Sequence, residues 1–146
     1  MTPILLSVPH IAQQYRGDCL AACVQMVLMY MGRSVAYKRL LKLLRIDFRR
    51  GTLASNIRRL ERLNLEVIYQ QGTFEKLCEH LEQDQPCIAF VYTGELPYWS
   101  AGVDHAVVVT GLDNQNIYVN DPAFLSGPLV VDRGEFDLAW LEWDEP

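Results

Sequence analysis

Residues 19–32 read CLAACVQMVLMYMG, a run that is apolar on nearly every side of a helix. Asp18 is the predicted N-cap in front of this run, and Gly32 is the predicted stop after it. A helix without a polar face is stable only when other elements cover it on all sides. We therefore expect this helix to be central and buried, with the remaining structure packed around it.

Hydrophobic periodicity divides the rest of the chain into helices followed by strands. It predicts helices over about 36–44, 53–63 and 73–83, strands over 65–70, 87–92, 105–112, 116–121 and 127–131, and a short closing helix at 136–140. A tight turn at 113–115 joins two of these strands as an antiparallel pair. Helices that precede an antiparallel sheet are typical of an α+β fold, with N-terminal helices packed on a C-terminal sheet.

Length and composition bound the class of protein. The chain has 146 residues, 50% of them hydrophobic, without an internal repeat or a linker, so we expect a single domain over 1–146. No apolar run reaches the ~18 residues of a membrane span. The first residues, MTPILLSVPH, lack the basic flank and the long apolar stretch of a secretory signal. A soluble cytoplasmic protein with no membrane partner is therefore expected.

The charge is unevenly distributed along the chain. The segment 33–62 holds ten basic and two acidic residues, a net charge of +8, whereas the remainder holds three basic and sixteen acidic residues, a net charge of −13. The simplest interpretation is a solvated helical face that pairs with acidic segments of the same fold. The alternative is a surface for an acidic partner. A nucleic-acid partner is not predicted, because the segment lacks interleaved aromatic residues for base stacking.

The four cysteines are Cys19, Cys23, Cys78 and Cys87. Thiols stay reduced in a cytosolic chain, and only the first two are closely spaced, so neither a disulfide framework nor a zinc site is predicted. Cys78 and Cys87 fall in an amphipathic helix and a core strand, where they are expected to pack. Cys23 is expected to pack as a small apolar group one turn into the buried helix. Cys19 differs, because it lies in the first turn, where the helix dipole favours a thiolate nucleophile.

His105 and Asp121 are the predicted partners of this thiol. His105 opens the strand HAVVVTGL, and Asp121 ends the next strand sixteen residues later. If the two strands form a hairpin, their far ends are neighbours, and the carboxylate can orient the imidazole for general acid–base chemistry. Taken alone, Asp121 before Pro122 also suits a simple turn. His10 and His80 are expected to lie at the surface or to fill space.

Acyl transfer also requires donors for the developing oxyanion. The backbone N–H of Cys19 at the helix start is one candidate, and the side-chain amide of Gln13 on the incoming arm is another. In the loop 93–104, Tyr98 and Trp99 precede the histidine closely. They either form a wall of the substrate cleft or cap the end of the sheet, and the sequence favours neither.

Gln13 stands six residues before Cys19, Asp18 directly precedes the cysteine, and an apolar helix follows. Together with His105 at the start of a Val-rich strand and Asp121 sixteen residues later, this pattern resembles the papain-like C39 peptidase family. Its best-known members are the leader-cleaving domains of bacteriocin-exporting ABC transporters. The resemblance covers about residues 8–121, in order and in spacing.

The resemblance implies a papain-like fold, with Cys19 as nucleophile, His105 as base and then acid, Asp121 as the orienting carboxylate and Gln13 as the oxyanion donor. This chain departs from the family at Leu20, where a glycine is common, so the leucine side chain is expected to border the substrate path. With no room for transporter domains, a free-standing bacterial member is expected. The predicted function is a cysteine peptidase acting on a peptide or leader-peptide bond, with no metal or other cofactor. The alternative is a catalytically silent papain-like module that binds a peptide or protein.

Overall fold

The computed structural model describes residues 2–49 and 52–140. Its elements, in chain order, are β1 (Ile4–Leu5), α1 (Cys19–Tyr30), α2 (Tyr37–Leu43), a 3₁₀ helix (Ala54–Leu63), α3 (Phe74–Glu82), β2 (Cys87–Tyr92), a 3₁₀ turn (Thr93–Glu95), β3 (Asp104–Leu112), β4 (Asn116–Asn120), β5 (Leu129–Asp132) and α4 (Arg133–Ala139). The helices and the antiparallel sheet form the α+β fold that the sequence predicts.

The sheet is built around β3, the longest strand. Its first six residues pair with β2 and its last two residues pair with β1, while β4 occupies the opposite edge and pairs in turn with β5. All of these pairings are antiparallel. Helices cover both faces, which explains why β3 is apolar along most of its length instead of alternating with polar residues.

Two hydrophobic clusters lie on either side of the sheet. On one face, α1, α2 and the 3₁₀ helix pack against side chains such as Ala106 and Val108 of β3. On the other face, α3 and α4 pack against Val107 and Val109 of the same strand, and Phe136 of α4 is fully buried there. Helix α1 is largely buried, as predicted, with seven of its twelve residues buried, although Met29 near its end is half exposed.

The predicted strand over 65–70 is wrong. These residues carry no regular structure and do not join the sheet, although their burial alternates as in a strand. Leu65 and Val67 pack against the α1 side of the core, and the Tyr69 ring lies 6.1 Å from that of Phe90 in β2. The alternation therefore reflects an extended segment buried on one side, which requires no paired neighbour.

Smaller differences concern other elements. The helix predicted over 53–63 is a 3₁₀ helix, the two-residue β1 carried no sequence signal, and α4 begins at Arg133, three residues before the predicted start. In the described part of the chain, no helix has the length and apolar character to cross a membrane.

Candidate active site

The β3–β4 hairpin brings His105 and Asp121 together. In the register of this pair, Val108 stands opposite Asn120, the last residue of β4. Asp121 follows Asn120 directly, and His105, the second residue of β3, lies diagonally across from it. The His105 Nε2 atom is 2.7 Å from Asp121 Oδ1. Both residues are buried, with 8% and 0% of their surfaces exposed, so this ion pair is shielded from bulk water.

The Asp121 carboxylate is held by four donors. Oδ1 accepts hydrogen bonds from His105 and from the backbone N–H of Ala123, at 3.0 Å, and Oδ2 accepts from Tyr98 Oη and Trp99 Nε1, each at 2.9 Å. Burial by itself raises the pKa of Asp121, but the hydrogen bonds and the charge of His105 outweigh it, and the pKa lies below its usual value. The group is therefore a fixed anion at neutral pH.

His105 connects this anion to Cys19. Burial by itself lowers the pKa of His105, but hydrogen bonds to Asp121 and to the Cys19 thiol, with the charges of both groups, raise it to about 9. Because Nε2 faces Asp121, the other ring nitrogen, Nδ1, is left for the sulfur. The imidazole therefore lies between thiol and carboxylate, in the order that a nucleophile, a base and an orienting group require.

Cys19 is the first residue of α1 and is partly exposed, whereas Cys23, one turn further, has no exposed surface. Burial, and then the nearby Cys19 and Asp121, hold the pKa of Cys23 well above its usual value. Cys23 is thus a packed, protonated thiol, as expected, and of these two thiols only Cys19 is accessible from solvent.

Asp18 occupies the N-cap position of α1 but does not cap the helix, which corrects the sequence prediction. Its carboxylate turns back to the incoming arm, where it accepts the backbone N–H groups of Gln14 and Tyr15, at about 3.1 Å each, and the hydroxyl of Tyr37 at 2.6 Å. The usual partner of a capping aspartate is the backbone N–H of the second or third residue of the helix. Here the upstream N–H groups and the tyrosine compete successfully for the carboxylate.

Gln13 lies on the same arm and lines the same groove as Cys19 and His105. Its side-chain Nε2 donates to the backbone oxygen of Tyr15 at 2.9 Å, and its backbone N–H donates to the oxygen of Pro122 at 2.8 Å. An amide nitrogen carries two hydrogens, so one hydrogen of Nε2 is left for another acceptor in the groove.

The groove has a volume of about 2240 Å³, well above the ~300–1,000 Å³ of small-ligand pockets. Trp99 lines it and packs edge-on against His105, with ring centroids 5.0 Å apart. Leu20 is only 2% exposed and belongs to the core, yet it also lines the groove. Tyr98 is not among the residues that line it. Both aromatic residues donate a hydrogen bond to Asp121, a role that the two sequence interpretations did not include.

The basic segment 33–62 makes contacts that the sequence did not indicate. Arg33 donates to the backbone oxygen of Leu63 at 2.8 Å, and Arg59 donates to that of Leu43 at 2.6 Å, so both satisfy carbonyl groups at helix ends. Among residues 2–49 and 52–140 other than Asp47, no carboxylate oxygen lies within 4.0 Å of a Lys or Arg nitrogen. For these residues, the expected pairing with acidic segments of the same fold is wrong.

Sequence reasoning did not single out Tyr37, Phe124 or a role for His10. Tyr37 supports Asp18 from α2, and no local pattern marks it. Phe124 packs edge-on against both Tyr98 and Trp99, and its backbone oxygen is 2.7 Å from His10 Nε2. No local pattern marks Phe124 either, since these contacts appear only in the folded chain.

A buried helix that begins at a cysteine and packs against an antiparallel sheet carrying histidine and aspartate is the architecture of papain-like cysteine peptidases. The model of the Peptidase C39 family matches residues 7–143. The chain belongs to this family. A search of the curated proteins finds no match to it.

Solved structures share the fold. A putative C39-like peptidase from Bacillus anthracis superposes with a TM-score of 0.79 at 19% identity, over 96% of this chain and 92% of that chain. The peptidase domain of Streptococcus ComA, a bi-functional ABC transporter involved in a quorum-sensing pathway, gives 0.73 at 20% identity, over 90% of each chain. A double glycine motif protease from an AMS/PCAT transporter, solved in complex with the leader peptide, gives 0.72 at 26% identity, over 96% of this chain and 92% of that chain.

Proposed function

We propose that this protein is a cysteine peptidase that cleaves a peptide bond with Cys19 as nucleophile. His105 holds the proton of the Cys19 thiol as an imidazolium, and the sulfur attacks the substrate carbonyl carbon as a thiolate. The tetrahedral oxyanion is stabilised by the Gln13 amide and the Cys19 N–H. His105 then protonates the leaving amine, the C–N bond breaks, and an acyl-thioester remains. Water, deprotonated by His105, hydrolyses the thioester and restores the thiol.

The observation that carries this proposal is the double partnership of His105. Its imidazole hydrogen bonds to the Asp121 carboxylate on one side and to the Cys19 thiol on the other, and the pair of Cys19 and His105 lines an open groove. A pKa of about 9 keeps the imidazole protonated at neutral pH, when it can stabilise a thiolate and later supply a proton.

The substrate is proposed to be a peptide segment in extended or helical form, such as a leader peptide. Membership of the C39 family and the size of the groove support this choice. So does the relative of 26% identity, which was solved with a leader peptide bound. Leu20, which lines the groove beside Cys19, is proposed to restrict the residues accepted next to the scissile bond.

Two chemical probes test the proposal without knowledge of the natural substrate. Iodoacetamide, followed by intact-mass measurement at pH 6–7, reports the reactivity of the thiolate. The ester p-nitrophenyl acetate reports acyl transfer. We expect Cys19 to be alkylated first, and faster than free cysteine, and ester hydrolysis to disappear in Cys19→Ala and His105→Ala. The matched control is Cys23→Ala, which keeps both reactions.

If Cys19 reacts no faster than free cysteine, and if Cys19→Ala hydrolyses the ester as well as the unaltered protein, the peptidase assignment is wrong. The silent peptide-binding module would then be the correct description.

We further propose that the basic segment 33–62 contributes to binding of an acidic peptide. Arg45 and Arg49 belong to this segment and line the groove. Asp47 lies between them in sequence, and it is the only acidic residue among the described residues of the segment that line the groove. The pKa of Arg59 is lowered, first by burial and then by the positive charges of Arg45 and Arg62, so Arg59 belongs to the same group of like charges. Such a cluster of like charges attracts carboxylates.

The test measures binding of fluorescent acidic and neutral peptides of equal length to the Cys19→Ala variant. We expect tighter binding of the acidic peptide, weakened by salt and by Arg45→Glu. The control Lys38→Glu changes the net charge equally, in the same segment, at an exposed residue outside the groove lining. Equal effects of both substitutions, or equal binding of both peptides, would exclude a specific site.

A further inference from the structure

Asp18 is a buried carboxylate directly in front of Cys19. None of its surface is exposed, and within residues 2–49 and 52–140 no Lys, Arg or His nitrogen lies within 4.0 Å of it. A buried anion without a cation is costly unless hydrogen bonds satisfy it. The donors that do so here are the Gln14 and Tyr15 N–H groups and the Tyr37 hydroxyl.

The direction of these hydrogen bonds has a consequence for the start of α1. An α-helix leaves its first N–H groups without intrahelical partners, and the ladder of α1 begins with the N–H of Ala22 bound to the Asp18 oxygen at 3.2 Å. A capping carboxylate would take one of the free groups and neutralise the positive end of the helix. Because the Asp18 carboxylate points the other way, the positive end stays directed at Cys19.

The same hydrogen bonds fix the arm that carries Gln13. Asp18 holds the N–H of Tyr15, and the carbonyl oxygen of Tyr15 accepts the Gln13 amide at 2.9 Å. The arm is tied at its other side by the Gln13 N–H, which donates to the Pro122 oxygen. The Gln13 side chain is therefore held through Tyr15, and Tyr15 is held through Asp18.

We propose that Asp18 is the positioning residue of the oxyanion site: it locks the arm that presents the Gln13 amide and leaves the N–H groups at the start of α1 free for the substrate oxygen. This inference rests on the proposed function. Deletion of one oxyanion donor lowers the rate of acyl transfer by ~10²–10³-fold in well-studied enzymes. Because release of the arm misplaces a donor without removing it, we expect a loss of at least about tenfold.

The main variant is Asp18→Ser. Serine is an equally good N-cap residue, but its short side chain cannot replace the contacts to Gln14, Tyr15 and Tyr37. The conservative variant Asp18→Asn keeps one acceptor oxygen, which can serve the three donors that now bind Oδ2, and it replaces Oδ1 by an NH2 group. The matched control is Asp132→Ser, because Asp132 is a regular cap of α4 that accepts the N–H groups of Gly134 and Glu135.

The two probes separate positioning from general damage. Acylation by p-nitrophenyl acetate develops an oxyanion, whereas alkylation by iodoacetamide displaces iodide from a saturated carbon and does not. For Asp18→Ser we expect acylation of Cys19 to fall at least about tenfold, with alkylation changed by less than about twofold. Asp18→Asn should recover most of the acylation rate, and Asp132→Ser should change neither rate. Amide hydrogen exchange at Gln14 and Tyr15 should become faster in Asp18→Ser alone.

An Asp18→Ser variant that acylates at the original rate, or that loses both reactions in parallel, would overturn the inference. If this variant does not fold, Tyr37→Phe decides, since it removes one of the three contacts: a selective fall in acylation supports the inference, and an unchanged ratio of the two rates overturns it. If the unaltered protein shows no reaction that depends on Cys19, the proposed function itself fails and the role of Asp18 fails with it. A failure restricted to the Asp18 variants leaves the peptidase intact.

Discussion

The partnership of His105 and Asp121 makes a direct prediction for Asp121→Asn. The substitution removes the carboxylate charge and forces an amide N–H against at least one of the donors that now bind there, because Trp99 and Ala123 can only donate. The contributions that raise the pKa of His105 are then largely lost, while burial, which lowers it, remains. We expect the pKa of His105 to fall from about 9 to 6.5 or below.

The size of the effect follows from these two values. At pH 7.5, a pKa of about 9 gives a protonated to neutral ratio of roughly 30 to 1, and a pKa of 6.5 gives roughly 1 to 10. The protonated population of His105 therefore falls about tenfold. Acyl transfer should fall by at least this factor, since the leaving group takes its proton from this imidazole. The loss should be smaller than in Cys19→Ala, where the nucleophile is absent.

The assay is an NMR titration of the imidazole C–H signals between pH 5 and 10.5. The chain has three histidines, so the signal of His105 is assigned by its absence in His105→Gln. The matched control is Asp113→Asn at the opposite end of the hairpin, where the carboxylate accepts the Tyr118 hydroxyl and two backbone N–H groups. This control should leave the midpoint of His105 unchanged.

A midpoint near 6.5 in the unaltered protein, or one that stays near 9 in Asp121→Asn, would refute the electrostatic reasoning. The first result would mean that the two hydrogen bonds do not outweigh burial. The second would mean that Cys19 alone is sufficient to raise the pKa.

Three further predictions concern stability. Because the pKa of His105 is raised, its contribution to the free energy of unfolding is complete below pH 6.5 and is lost as the pH rises through about 9. Urea denaturation should therefore show a larger decrease in the free energy of unfolding between pH 7 and 9.5 for the unaltered protein than for His105→Gln. Because the pKa of Asp121 is lowered, its contribution to the free energy of unfolding is present above pH 3.8 and is lost as the pH falls through the lower pKa of the folded state. In Asp121→Asn, the free energy of unfolding should therefore decrease less as the solution is acidified. Cys23→Ala should cost about 1 kcal/mol, as for one buried methyl group, with the alkylation rate of Cys19 unchanged; a slower rate would show that Cys23 also supports the nucleophile.

The sequence predicted those features that repeat over several residues. The enclosed helix α1 follows from a run without a polar face, and the meeting of His105 with Asp121 follows from two strands joined by a short turn. Both inferences use backbone periodicity, which is encoded locally. The segment 65–70 shows the limit, because alternating burial is common to paired strands and to single extended segments packed on a core.

The destinations of single polar side chains could not be predicted. Asp18 satisfies every local criterion of an N-cap, yet its carboxylate is bound instead by the Tyr37 hydroxyl and by backbone N–H groups of residues that precede Asp18. Tyr98 and Trp99 were recognised as neighbours of the site, but their hydrogen bonds to Asp121 depend on how the loop 93–104 returns over the sheet. Such contacts join distant parts of the chain, so no local pattern specifies them.

Helix α1 packs against β3 along a buried seam, where Ala21 of the helix and Ala106 of the strand lie in the same cluster and neither is more than 1% exposed. The nucleophile belongs to the helix and the imidazole to the strand, so the thickness of this seam sets the gap between sulfur and ring nitrogen. A single added methyl group there would push the two layers apart. The reactivity of such a protein is then adjustable from its interior, at residues that no substrate ever touches.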